Sequence, residues 1–592
     1  MSTESRLRLP AADRIERTDG QVVLAGRAAE TMSRLHRAAG GSPADAIWLE
    51  TATRRLIEAR SRGDVCVMLD AEQDAALSAA LQRSPIAAAA GPDIVAHPLV
   101  YATGRLYAWR DWQAERSLAT QLVSRAGPII TSPLIEPGTD DDGLNAGQRR
   151  ALEVSIRQRM LILTGGPGTG KTHCLAAIVR AFARSDPTMS IAVAAPTGKA
   201  TARLQQAIVS LTGDLPGLSL DAMTLHRLLA YNPSLGFRRH ARNRLAYDLV
   251  IVDECSMVDS QLARQLLEAL RDSTRLILAG DRDQLSSVQA GAFFGSICAS
   301  THPAMMAGRV VLEENYRQID APDILAWARA VRDGSLQVDR LPDHDGQVRV
   351  HDRAVAAVAA SETSDDPLIR LVPDLVERSL THLLPLVDRA EKLSDAGAAA
   401  DLLAEFQAVQ ILTLMRSGPI GANVINRHVS ESLRRQSGWL RQRWYPGRLV
   451  VLRRNAAHRG LYNGDIGLCV RSWAGDGLRV LFAGVQGVRD LSPATLPLHD
   501  DAFALTVHQA QGSDFDEVLL MPAPAGHPLN TREGLYTGIT RARRQVHLFA
   551  PPATLADAAM RPSARESGLL DALDEYSKTL GADPTVMGGA GG

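Results

Sequence analysis

Apolar residues at helical spacing run from Leu24 to Arg60 and break at Gly40-Gly41-Ser42-Pro43. That periodicity predicts two helices, with another over 75–81 and short strands at 65–69 and 106–109. Residues 1–135 are therefore expected to form a small, mainly helical N-terminal domain. The turn-rich acidic stretch from Glu136 to Gly143 reads as a linker.

From there to about residue 314 the pattern changes to alternating strand and helix. Strands are predicted at 160–164, 190–195, 249–253 and 275–280. Each is a nearly continuous apolar run, which fits a parallel sheet covered on both faces. A mixed Asp/Ala-rich region follows, with 361–366 expected as a surface loop. A second α/β core is predicted from strands at 409–414, 502–507, 517–521 and 545–549. The segment from about 440 to 500 interrupts that core. Its glycines and β-branched residues predict an inserted antiparallel β-barrel. The glycine-rich end, 588–592, is expected to be disordered.

Composition narrows the classes. The 592 residues are 45% hydrophobic and 22% charged, as in globular proteins. Net charge is −1, so any anion-binding surface must be local. No run approaches the ~18 apolar residues that span a bilayer, and no signal peptide is apparent. Five scattered cysteines without a C-x-x-C pair argue against a zinc site or a disulfide framework and point to a reducing cytoplasm. Only Lys171, Lys199, Lys392 and Lys578 are lysines, against 61 arginines. A retained lysine marks a place that needs a compact ammonium.

Two of the four lie in motifs. Gly165-Gly166-Pro167-Gly168-Thr169-Gly170-Lys171-Thr172 follows an apolar strand and precedes a helix-compatible run. Such glycines let backbone N–H groups close around phosphates at a helix N-terminus. Lys171 is expected to reach the β- and γ-phosphates of a bound nucleotide, and Thr172 to hold Mg²⁺. Asp253 and Glu254 end a strand, where they fit a second Mg²⁺ ligand and a group that activates water. Gln284, in the turn after the next strand, fits a γ-phosphate sensor or, equally, an ordinary turn residue. Arg317 and Arg541 are candidates to stabilise phosphoryl-transfer charge from across a cleft. Gln148 fits an adenine reader or, equally, a polar helix start. Pro196, Thr197 and Lys199 suit a nucleic-acid phosphate or a capped helix with a solvated lysine. Thr224 and His226 could extend that path or form an ordinary amphipathic turn. Between Arg434 and Arg459, eight arginines interleave with Trp439, Trp444 and Tyr445 and no acid. That composition fits a single-strand surface, a solvated face or a docking site for an acidic partner.

The ordered set of motifs resembles the superfamily 1 helicases of the 5′→3′ class, and within them the RecD family. It comprises Leu144-Asn145-x-x-Gln148, the Gly165–Thr172 loop, Ala195–Ala200, Val252–Met257, Gly280–Val288, Asn315–Gln318, His508–Phe515 and Tyr536–Arg543. The resemblance covers about residues 144 to 550. It implies two RecA-like P-loop NTPase domains, over 136–314 and 315–592, the second carrying an SH3-like barrel. It further implies a short wedge hairpin near 232–247, ATP-driven 5′→3′ translocation on DNA, and single-strand contacts that include His508 and Gln511. RecB-like and RecC-like subunits are the implied partners, with residues 1–135 docking. No nuclease site is assigned to this chain. Departures from the family pattern are Gln509, where lysine is common, Gly538 in place of alanine, and His173 and Cys174 after the P-loop. A free-standing 5′→3′ helicase and an ATP-binding structural or regulatory subunit are the competing readings.

Overall fold

The structure, a computed structural model, describes residues 19–89, 97–129, 143–212, 219–287, 290–316, 321–337, 346–352, 367–456, 459–473, 475, 477–484, 487–563 and 565–581. The expected 361–366 loop, the 588–592 tail and nearly all of the linker lie outside them.

The N-terminal region opens with helices Asp19–Ala38 and Pro43–Arg62, which pack on each other. Ser42 caps the second, its Oγ accepting from the Ala44 N–H, and Pro43 takes the first turn. Four short strands then form one sheet in the order Cys66–Met68, Arg105–Ala108, Leu99–Ala102, Ala87–Ala89. Helices Ala75–Arg83 and Trp109–Arg125 accompany it. The mainly helical expectation thus gains a small sheet. Two of its strands escape periodicity because they are only three and four residues long.

The first large core is an all-parallel six-stranded sheet. Its order is Arg309–Leu312, Met160–Gly165, Arg275–Gly280, Leu249–Val252, Ser190–Ala195, Ser219–Thr224. The four expected strands form its centre, and Met160–Gly165 is buried at every position. The two edge strands are partly exposed and lack the continuous apolar signal. The chain leaves Met160–Gly165 and skips two places to Ser190–Ala195. The carboxyl ends of the central strands therefore open onto a crevice, where such sheets bind ligands.

The second core is a five-stranded parallel sheet, ordered Val348–His351, Ala542–Phe549, Phe515–Met521, Val409–Thr413, Ala504–Thr506. Between its Val409–Thr413 and Ala504–Thr506 strands, the chain builds an antiparallel five-stranded sheet. Its order is Gly487–Leu491, Leu478–Gly484, Ile466–Arg471, Leu449–Leu452, His499–Asp501. Val450, Leu461, Cys469, Val480 and Phe482 form part of its apolar cluster. Gly467 is needed there, because a Cβ would lie 2.5 Å from the Phe482 ring.

The chain then returns to its beginning. Helix Leu569–Gly581 packs on Trp109–Arg125, with Arg105 paired to Asp571 and Arg116 to Glu575. Glu115, 2% exposed, accepts from the Ser567 hydroxyl and the Gly568 N–H. No helix among the described residues is long and apolar enough to cross a membrane.

Candidate functional site

The two parallel cores face each other across a cleft of about 440 Å³. Its first wall is the loop between strand Met160–Gly165 and helix Lys171–Ser185. Gly168 and Gly170 take left-handed backbone conformations (φ 82° and 78°), open to glycine at little cost. A Cβ on Gly165 would lie 2.9 Å from the Leu312 carbonyl oxygen, so the turn closes only around glycine. Lys171 Nζ donates to the carbonyls of Gly165 (2.6 Å) and Gly166 (3.0 Å), which holds the ammonium over the loop. Thr172 also lines the cleft.

Asp253 ends strand Leu249–Val252 and is anchored by its N–H to the Ala194 carbonyl (2.9 Å). Its Oδ1 accepts from the Glu254 N–H (2.8 Å). Glu254 sits at φ 54°, ψ 40°, a left-handed conformation that costs a non-glycine residue about 1–2 kcal/mol. Burial pushes both carboxyls above the usual range, and for Glu254 the neighbouring Asp253 charge adds to it. The Lys171 ammonium opposes both shifts. Both acids are thus held out of solvent on the cleft floor, with Lys171, Arg203 and Arg541 around them. Thr172 and Asp253 supply hard oxygen donors there, which fits a divalent cation held beside phosphates.

Gln284 is 5% exposed and lines the same cleft. Its Nε2 donates to Asp281 Oδ2 (3.0 Å), while its Oε1 has no hydrogen-bond partner among the described residues. The unmet acceptor suits a water that must donate. Arg541 enters from the second core. It is 3% exposed, with Nε donating to the Thr537 carbonyl (3.2 Å) and Nη1 to that of Ser513 (3.3 Å). Arg317 lies outside the described residues. The residues just before it touch the phosphate loop: Asn315 Nδ2 donates to the Pro167 carbonyl (2.7 Å), and the Tyr316 N–H to that of Gly168 (2.8 Å).

Gln148 is 2% exposed and forms a capping box with Asn145, its Oε1 accepting from the Asn145 N–H (3.1 Å). It packs beneath Gly170, where a Cβ would lie 2.5 Å from its amide nitrogen. The polar helix-start reading therefore describes its carbonyl end.

The residues expected to follow nucleic acid divide into two groups. Lys199 and Gln511 tie the cores together. Lys199 Nζ donates to Ser513 Oγ (2.8 Å), and Gln511 Nε2 donates to the Leu285 carbonyl (2.8 Å). Pro196 and Thr197 stand at the start of helix Gly198–Thr212, with Thr197 Oγ1 accepting from the Ala200 N–H (3.3 Å). Thr224 caps helix Leu225–Leu228. His226 is exposed beside the rings of Tyr231 (5.4 Å) and Phe237 (6.0 Å). Those rings belong to a hairpin, Tyr231–Asn232 paired with Gly236–Phe237, at the start of the expected wedge. Burial pushes the pKa of His508 down to about 4, so its imidazole is neutral at pH 7. Gln509 turns inward, its Oε1 accepting from Thr506. In the arginine-rich stretch, Tyr445 is 1% exposed and bonded to Ser430, while Trp444 carries Arg448 on its face. Tyr445 is a core residue rather than a base platform.

Four residues that shape the cleft carry no role in the sequence reading, although Asp514, Tyr536 and Thr537 lie inside its motifs. Tyr536 donates its hydroxyl to Asp281 Oδ2 (3.2 Å), and Thr537 Oγ1 accepts from the Leu285 N–H (2.9 Å). Arg203 and Asp514, one from each core, line the cleft and pair at 2.7 Å.

Two family models match the chain. An AAA domain matches residues 143–353, and a UvrD-like helicase C-terminal domain matches 501–549. The RecBCD enzyme subunit RecD of Mycobacterium tuberculosis is 33% identical, over 82% of this chain and 83% of that protein. The chain belongs to the RecD family. The Mycolicibacterium smegmatis RecD subunit is also 33% identical, over 82% of this chain and 85% of that protein. The ATP-dependent RecD2 DNA helicase of Deinococcus radiodurans is 31% identical over 79% of this chain but only 58% of its own length. Among solved structures, the Candida albicans Pif1 helicase covers 74% of this chain and 99% of its own, at 15% identity and a TM-score of 0.39.

Proposed function

We propose that this RecD-family chain is an ATP-dependent DNA helicase, the motor subunit of a RecBCD-type helicase–nuclease that processes broken DNA ends for recombinational repair. The observation that carries this reading is the shared cleft. Lys171, Thr172, Asp253 and Glu254 line one wall, and Arg541 reaches in from the other. Family membership supplies the nucleic acid and the assembly. The match covers 83% and 85% of the two mycobacterial RecD subunits.

ATP binds with its phosphates against the N–H groups of the 166–172 loop and the helix start. Lys171 turns from the loop carbonyls to the β- and γ-phosphates. Thr172 and Asp253 hold Mg²⁺, which neutralises phosphate charge when bound. The half-exposed Tyr316 ring, beside Gly170 and with 46% of its surface open, offers the base a stacking face. Glu254 takes a proton from the attacking water, a task suited to its raised basicity, while the free Gln284 oxygen accepts the water's other hydrogen. Arg541, with Arg317 following Tyr316, balances the charge that develops on the γ-phosphoryl group.

Hydrolysis couples to movement through the seam between the cores. Lys199 and Gln511 lie on it, within motifs assigned to the DNA path, so opening the cleft shifts that path. The reading includes 5′→3′ polarity, the inserted sheet as an SH3-like domain, the Tyr231–Phe237 hairpin as the wedge, and the N-terminal region as the surface for a RecC-like subunit beside a RecB-like one. The test is ATP hydrolysis by the purified chain with single-stranded DNA or RNA of matched sequence. DNA-stimulated turnover that disappears in Lys171→Gln supports the proposal. Stimulation by RNA alone contradicts it.

A further inference from the structure

Asp514 follows Gln511-Gly512-Ser513 and opens the strand Phe515–Met521 of the second core. Its side chain is only 3% exposed, yet three guanidinium groups surround it. Arg203 Nη2 lies 2.7 Å from its Oδ2, Arg543 Nη2 lies 3.9 Å from the same oxygen, and Arg541 Nη1 lies 4.0 Å from its Oδ1. Arg203 belongs to the opposite wall, on helix Gly198–Thr212, and its Nη1 also donates to the Gly512 carbonyl (3.4 Å). One buried carboxylate thus joins an arginine from each core at the edge of the nucleotide cleft, which all three residues line.

Buried charges are retained where they are paired. Without Asp514, Arg541 would keep its two carbonyl acceptors and the Glu254 charge, but the carboxylate it shares with Arg203 and Arg543 would be gone, and repulsion from those two cations would shift it. With Asp514 present, the Arg541 guanidinium is held in place before nucleotide arrives, and the Arg203 fork reports whether the walls have met. Groups oriented before the reaction lose little of their electrostatic effect to reorganisation.

We infer that Asp514 is a positioning residue for ATP hydrolysis, which sets Arg541 and, through its ion pair with Arg203, makes cleft closure a condition of turnover. The inference rests on the motor reading above. It predicts that breaking the pair slows the chemical step while leaving nucleotide affinity nearly intact, because the phosphate loop is untouched.

The experiment measures DNA-stimulated ATP turnover in the full chain for wild type, Asp514→Asn, Arg203→Gln and the double variant. Each single substitution is expected to lower kcat about ten-fold or more, with KM for ATP within about three-fold. The double variant should fall no further than about three-fold below the worse single one, since both remove one interaction. Arg203→Lys should restore part of the loss. Arg203 keeps 45% of its side chain exposed, so its variants carry the test even if Asp514→Asn does not fold. Arg203→Gln turnover within two-fold of wild type, a lowered Tm with kcat unchanged, or losses that multiply in the double variant would overturn the inference. A wild type without DNA-stimulated turnover would overturn the motor reading itself, and the inference with it.

Discussion

Replacing Arg541 with alanine removes the cation that the second core brings to the cleft. Guanidinium groups in this role contribute about 10³–10⁵ to kcat, which is about 4–7 kcal/mol of transition-state stabilisation. The structure puts Arg541 at or above the lower bound. Its guanidinium is already held by the Thr537 and Ser513 carbonyls together with the Asp514 carboxylate, so little of its effect is lost to ordering. The fold feels the change less. Two carbonyls lose a charged donor, at about 1–3 kcal/mol in all, while Asp514 keeps Arg203 and Arg543, against a typical domain stability of about 5–15 kcal/mol. Steady-state hydrolysis with saturating single-stranded DNA, beside urea unfolding, separates the two effects. The expected result is a kcat at least about 10³-fold lower with KM for ATP within about five-fold. Arg544→Ala, on the strand that follows Arg541 and with its side chain 80% exposed, should stay within two-fold of wild type. A kcat for Arg541→Ala within ten-fold of wild type, or a loss confined to KM, would refute the assignment.

Glu254→Gln should lower kcat by about 10²–10⁴, read in the same assay. Burial and Asp253 raise the Glu254 pKa, so the native state keeps a proton that the unfolded chain releases, and stability falls as pH rises above the ordinary value of 4.5. The glutamine variant lacks that penalty. Its thermal melt should exceed wild type at neutral pH, and the gap should close below about pH 4. Burial likewise pushes Glu115 up to about 7, so its junction with the C-terminal helix should weaken between pH 4.5 and 7, with Glu115→Gln flattening that profile in hydrogen exchange of Trp109–Arg125. Tyr445→Phe removes the bond to Ser430 (2.8 Å) and should cost about 1 kcal/mol in urea unfolding without changing ATP turnover.

The parts of the fold that could be read directly are those whose chemistry is local. Met160–Gly165 and Leu249–Val252 are covered on both faces, so their apolar runs announce themselves. The edge strands Ser219–Thr224 and Arg309–Leu312 pair on one side only and carry mixed residues that no window distinguishes from loop. The site divides the same way. Lys171 and Thr172 belong to a contiguous motif with a known backbone geometry. Arg203 and Asp514 meet across the cleft from positions 311 residues apart, and neither segment marks the other. Lys199 stood out as a rare lysine, but its acceptor Ser513 is 314 residues away, so only the folded chain reveals it as a link between the cores. Gln148 sits at a helix start where both readings use the same residue, and the capping box with Asn145 becomes visible only in three dimensions.

The central claim is that this cleft drives a DNA motor of defined polarity. Strand separation on duplexes bearing either a 5′ or a 3′ single-stranded tail, with ATP and with Lys171→Gln beside wild type, tests it most directly. The account predicts ATP-dependent unwinding from the 5′ tail, none from the 3′ tail, and none in the variant. Unwinding from the 3′ tail, or unwinding that survives Lys171→Gln, would contradict it.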